Sequence, residues 1–216
     1  MSVARNTLVQ SSLTLASRIL GMVRDILLIA KIGAGPIGDA WATAQQFPNL
    51  FRRIFAEGAF ASAFVPTYAR TLEAEGAEAA RDVAQEALRV LFAATAALTI
   101  VAQIFMPWVL LLIHGGQADD PESYGLAVLL TRITMPYLTF MAIAALLSGV
   151  LNSAERFVLS AGVPTLLNLC LIPAAFVAPD AEGTALAAAM AYFVAGLLQA
   201  GALWWGVNRQ KVRLSL

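Results

Sequence analysis

The chain has 216 residues, of which 59% are hydrophobic and 13% charged, whereas a soluble domain is roughly half apolar and a quarter charged. Its 14 basic and 14 acidic residues cancel, which excludes the basic field of a nucleic-acid binder, so no nucleic-acid partner is expected. The single Cys170 excludes an intrachain disulfide and, lying in an apolar run, reads as a small packing residue.

A membrane span needs about 20 mostly apolar residues. By that measure the chain is all-α: a polytopic membrane protein with six transmembrane helices in one bundle. Helix 1 covers about 7–31 and is retained, because Arg18 and Arg24 interrupt the apolar run that a signal peptide would need. Gly33, Gly35 and Pro36 break it. Helix 2 covers about 38–57, with Pro48 expected to kink or end it locally. Residues 58–82 read as a re-entrant or interfacial segment followed by a short amphipathic helix over the charged stretch Arg70–Asp82. Helices 3 to 6 follow at about 84–112, 125–150, 157–178 and 184–207, with Pro136, Pro164 and Pro173 inside spans. Residues 1–208 therefore form one transmembrane lobe, and 209–216 a basic tail.

Loop charges orient the bundle. Arg5, Arg52, Arg53, Arg70, Arg81, Arg156 and the tail lie on one side; Lys31 and the acidic loops with Asp119, Asp120, Glu122, Asp180 and Glu182 lie on the other. The positive-inside rule then places both termini in the cytoplasm. Trp108, Trp204 and Trp205 fall near span ends, where interfacial aromatics gather.

The stretch Ser17–Asp25 stands out energetically. A charge at the centre of a membrane helix costs roughly 2.5–3.5 kcal/mol on insertion scales, and here Arg18, Arg24 and Asp25 fall within two turns. They must face a wet cavity or partners in the bundle. Seven residues apart, Arg18 and Asp25 share a face, while Arg24 points about 120° from Arg18. Gly21 allows a backbone or ligand to come close. The competing explanation is an ion pair joining helices, or snorkelling at a helix end. In helix 2, Asp39, Gln46 and Arg53 recur every seven residues, Arg53 and Glu57 are four apart and can pair, and Arg52 beside Arg53 also serves as a topology signal. Guanidinium groups from two helices suit an anionic substrate, because the planar fork matches two oxygens of a phosphate; carboxylates or nucleotides fit as well. His114 reads as a surface histidine. No metal-ligand spacing, phosphate-cradling loop or nucleophile motif appears, so no metal or cofactor is expected.

Two stretches carry a family likeness. Ser17–Asp25 (SRILGMVRD) and Phe47–Pro66 (FPNLFRRIFAEGAFASAFVP) resemble the N-terminal signatures of the bacterial lipid II flippases, the MurJ/MviN family of the multidrug/oligosaccharidyl-lipid/polysaccharide exporter superfamily. Gly33–Ala40 and Leu151–Phe157 resemble its helix 1–2 and helix 4–5 connections. The resemblance implies a transporter rather than an enzyme. Such a protein moves lipid II, the undecaprenyl-pyrophosphate-linked disaccharide pentapeptide, from the inner to the outer leaflet of the bacterial cytoplasmic membrane for cell-wall synthesis. It implies alternating access between two lobes around a cationic cavity. Matched by position, the family's essential charges fall on Arg18, Arg24, Asp39 and Arg52, with Asp25 in the same motif. Pyrophosphate binding would fall chiefly to Arg24, with Arg18 and Arg52 lining the route and Asp25 and Asp39 positioning arginines or sensing the conformational state. Gln46 stands where a basic residue is often found. Family proteins are about twice this length, so the chain is expected to represent an N-terminal lobe without its C-terminal partner lobe, cut short as a fragment or truncated reading frame. Two alternatives compete: another exporter of the superfamily, moving a different lipid-linked saccharide or a drug, and a membrane-embedded enzyme acting on polyprenyl phosphates. A structural scaffold would tolerate neutral residues at positions 18 and 24.

Overall fold

The computed structural model describes residues 3–55, 59–113, 121–154, 156–209 and 214. Several charges assigned from sequence, namely Glu57, His114, Asp119, Asp120, Lys211 and Arg213, lie outside the described residues. The described chain is helical throughout: α1 (Val3–Ile32), α2 (Pro36–Phe55), α3 (Ala59–Ala74), α4 (Ala77–Ile113), α5 (Pro121–Thr134), α6 (Tyr137–Ser153), α7 (Phe157–Gly162), α8 (Pro164–Ala174) and α9 (Ala181–Arg209).

Among the described residues, four stretches are long and apolar enough to cross a membrane: Ala77–Ile113, Pro121–Ser153, Phe157–Ala174 and Ala181–Arg209. The first two expected spans correspond to helices α1 and α2, of 30 and 20 residues. At 1.5 Å per residue both are long enough to span, but neither is among the four apolar stretches. Their charges, from Arg18 to Arg53, dilute the apolar run.

Three boundaries differ from the sequence expectation. The charged stretch 70–82 is not one amphipathic helix. It is divided between the end of α3 and the start of α4 by a turn at Gly76, whose φ of +91° a side-chain-bearing residue adopts at a cost. The fourth and fifth expected helices are each in two pieces, separated at Met135–Pro136 and at Val163–Pro164. Pro48, expected to kink or end its helix, lies inside a continuous α2.

Neighbouring helices satisfy the carbonyls that Pro48 and Pro136 leave free. A proline inside a helix leaves the carbonyl four residues back without its amide partner. For Pro48 that carbonyl is Ala44, and Thr134 Oγ1 reaches it from α5 at 3.3 Å, sharing its proton with the Thr131 carbonyl at 3.1 Å. For Pro136 it is Arg132, and Gln103 Nε2 donates to it from α4 at 2.7 Å. Polar side chains on adjacent helices thus satisfy backbone that has no water to turn to in lipid.

The two halves of the core meet on α6 and α9. One cluster joins Leu28, Trp41, Met106, Leu130 and Leu171 around Tyr137 and Tyr192; the other joins Phe64, Leu88, Leu146, Leu147, Leu151 and Leu203. Alanines and glycines line α9, and α6 lies close against it. A methyl added at Gly196 would stand 2.9 Å from Tyr137 Cδ2 and 3.0 Å from Phe140 Cβ, so only glycine fits there. Tyr192 meets Tyr137 edge-to-face at 5.4 Å and Trp41 at 6.1 Å. In contrast, α4 is an outer helix. Only 11% of its apolar window is buried, and Ile100, Val101, Ile104, Phe105 and Trp108 are exposed, as a lipid-facing surface requires. At the end of α9, the Arg209 guanidinium sits 4.1 Å over the Trp205 ring, a cation–π contact at the position expected of an interfacial anchor.

Candidate functional site

Helix α1 packs chiefly on α7 and α8, with only slight contact to α2. Its charged residues therefore meet the fifth expected span rather than the second. Arg24 is the centre of the arrangement, with a side chain 15% exposed. Its Nε and Nη2 donate to Asp25 Oδ1 at 2.9 and 2.8 Å. Its Nη1 donates to Asn168 Oδ1 on α8 at 2.9 Å. Asn168 in turn donates from Nδ2 to the Ser17 carbonyl at 2.8 Å. Asn168 is 4% exposed and Asp25 49%. Residues i and i+1 do not face each other on a helix, so the Arg24 side chain must fold across the surface of α1 to reach its neighbour's carboxylate.

Two cavities flank α1. One, of about 400 Å³, is lined by Ser17 and Arg18 of α1, Ser148 and Asn152 of α6, Ser160 of α7 and Gln199 of α9, among apolar walls. Ser160 donates to Asn152 Oδ1 across its rim. Gln199 is fixed beneath it: its Oε1 accepts from Tyr137 Oη at 3.1 Å, and its Nε2 donates to the Val163 carbonyl at 3.2 Å, at the break between α7 and α8. The other cavity, of about 380 Å³, lies between α1 and α2 and includes Asp25, Trp41, Gln45 and Asn49.

Arg18 and Asp25, expected to share one face, thus open onto different cavities. The seven-residue spacing places them in register along α1, but the helices packed on either side divide the space between them. Asp39 is exposed in the first turn of α2, where a carboxylate complements the helix dipole. Arg52 lies on α2, and its side chain is outside the described residues. Arg53 is exposed. The structure therefore brings Ser17, Arg24, Asp25 and Asn168 together, sets Arg18 beside them in a second cavity, and leaves Asp39 apart.

Sequence reasoning missed Asn168 and Gln199. The signal was available: each is a lone amide in an apolar run, and polar groups inside membrane helices are costly enough to mark pathways or interhelical contacts. Arg132 belongs with them as a partly buried cation in α5, whose Nε is buried with no hydrogen-bond partner among the described residues.

The fold and site define a multi-pass membrane protein whose helix bundle holds one cavity with Arg18 on its wall and another with Asp25. The model of the lipid II flippase MurJ family matches residues 28–216, so the chain belongs to that family. A probable lipid II flippase MurJ of Rhizobium tropici is 40% identical over 224 aligned positions, covering 100% of this chain and 42% of the relative. The lipid II flippase MurJ of Burkholderia cenocepacia is 40% identical over 200 positions, covering 92% and 39%. A probable lipid II flippase MurJ of Rhizobium meliloti is 38% identical over 219, covering 99% and 41%. The chain spans about two fifths of the length of these relatives. The family match begins after Asp25, while the Rhizobium tropici alignment covers the whole chain, Ser17–Asp25 included.

Proposed function

We propose that this chain supplies one wall of the transport pathway of a lipid II flippase, which carries the undecaprenyl-pyrophosphate-linked precursor across the bacterial cytoplasmic membrane by alternating access. Arg24 carries the reading. Of its five N–H groups, three are engaged by Asp25 and Asn168. One on each Nη is left, a pair suited to two oxygens of a phosphate. Held in a bundle and only 15% exposed, the guanidinium is shielded from the water that would otherwise weaken such a contact. Its ion pair with Asp25 lowers the cost of keeping a cation in the membrane when no substrate is present.

Arg18 lines the neighbouring cavity and extends the cationic surface along α1. Arg52 and Asp39 belong to the same pathway on the likeness to the family, Arg52 as a further phosphate contact and Asp39 as a partner for a cation. The rest of the pathway is assigned to a partner lobe. Both termini of this chain lie in the cytoplasm, on the strength of the loop charges.

Rescue of cells depleted of their own lipid II flippase tests this reading. The full-length gene product should restore growth, and Arg24→Ala should abolish rescue at an unchanged protein level; normal growth of the variant removes Arg24 from the pathway. Orientation has its own test. Ala118→Cys should react with a membrane-impermeant thiol reagent added outside and Ala154→Cys should not, and the reverse pattern inverts the topology.

A further inference from the structure

We infer that Asn168 is a positioning residue for Arg24: it fixes from α8 the direction in which the two remaining guanidinium N–H groups point. This rests on the reading of Arg24 as the pyrophosphate contact and extends it to a residue on another helix.

The geometry is specific. An amide has one acceptor oxygen and one donor nitrogen on opposite sides. Asn168 spends the oxygen on Arg24 Nη1 and the nitrogen on the Ser17 carbonyl, two turns earlier on the same helix. The donor bond anchors the amide to the backbone of α1, so the acceptor bond places Arg24 relative to its own helix rather than to a freely moving side chain. Gly21 faces the amide. A methyl there would lie 3.7 Å from Asn168 Oδ1 and 3.8 Å from Nδ2, in ordinary contact. Asp25 alone cannot do this work. Its carboxylate is half exposed and grips one edge of the guanidinium, which leaves the plane free to pivot about that edge. Asn168 supplies the second point of attachment, from the opposite helix and in a buried position. Preorganised donors bind an anion better than mobile ones because the ordering cost is met in folding.

The test uses the purified full-length gene product titrated with undecaprenyl pyrophosphate, with undecaprenol as control, and bound lipid read by native mass spectrometry. Asn168→Leu keeps the volume and removes both hydrogen bonds; Asn168→Ala is the second variant. Either should weaken undecaprenyl pyrophosphate about tenfold and leave undecaprenol unchanged, with a fall in melting midpoint comparable to that of Gln199→Leu. Arg24→Ala should weaken it more. Adding Asn168→Leu to Arg24→Ala should cost nothing further, since residues that act through one another are not additive. An unchanged affinity in Asn168→Leu beside a loss in Arg24→Ala overturns the positioning role. So does a loss that persists undiminished on the Arg24→Ala background, or one accompanied by a lowered melting midpoint with normal affinity in the folded fraction. If Arg24→Ala itself binds normally, the reading beneath falls and the positioning role with it, and that outcome is seen in the single variant alone.

Discussion

Two seams of the bundle are built on opposite plans. Where α6 meets α9, small residues bring the backbones together, Tyr137 and Tyr192 stack edge-to-face, and the one polar side chain in the middle, Gln199, has both ends bonded. Where α1 meets α8, a charged pair and a single amide are set beside the buried Leu28 and Leu171, while Leu15, Ile19, Met22 and Ile26 of α1 are exposed. Without a hydrophobic force between helices in lipid, close packing of small residues holds a bundle together. The first seam therefore carries stability and the second carries charge. Substitutions should separate the two.

The largest effect on folding is expected at Gly196. Gly196→Leu drives a side chain into Tyr137 and Phe140, and overpacking of this kind costs about 1–3 kcal/mol or more. The variant should lose several degrees of melting midpoint in detergent and fall in membrane abundance; a normal midpoint would show that α6 and α9 slide apart freely. Gln199→Leu comes next. It removes one of the bonds at Tyr137 Oη and one at the Val163 carbonyl, which keep Met141 Sδ and the Leu166 N–H, at about 1 kcal/mol by the net worth of such bonds, and thermal unfolding measures it. Gln103→Leu should cost somewhat less, about 0.6 kcal/mol, the average measured for interhelical hydrogen bonds in a membrane protein. Its distinctive sign would be faster hydrogen exchange around the Pro136 break, where the Arg132 carbonyl loses its cap. Asp39→Asn, at an exposed position, should leave the melting midpoint unchanged, so any loss of rescue by that variant reports on transport alone. Arg24→Ala completes the comparison: a small change in stability with loss of transport, the reverse of Gly196→Leu.

Much of the fold was open to the sequence because its signals are local. Apolar run length places α4 and α9, Gly33 and Gly35 place the first turn, and their φ values of +78° and +115° show why glycine stands there. Proline was the less reliable marker. Pro48 and Pro136 look alike in sequence, yet α2 runs on through one and the helix breaks at the other, although a neighbouring helix caps the freed carbonyl in both cases. The division of 70–82 between α3 and α4 turned on Gly76, a single residue in an otherwise helix-favouring stretch.

For the site, the chain by itself determined that arginines and a carboxylate lie within two turns of one long helix, since charge and run length are properties of residue order. Only the tertiary structure decided which of them meet. Asn168 is 144 residues from Arg24, and no periodicity along α1 could name it. The same packing separated Arg18 from Asp25 into two cavities despite their shared register. A helix sets the direction of a side chain, but the helices beside it set what that side chain finds.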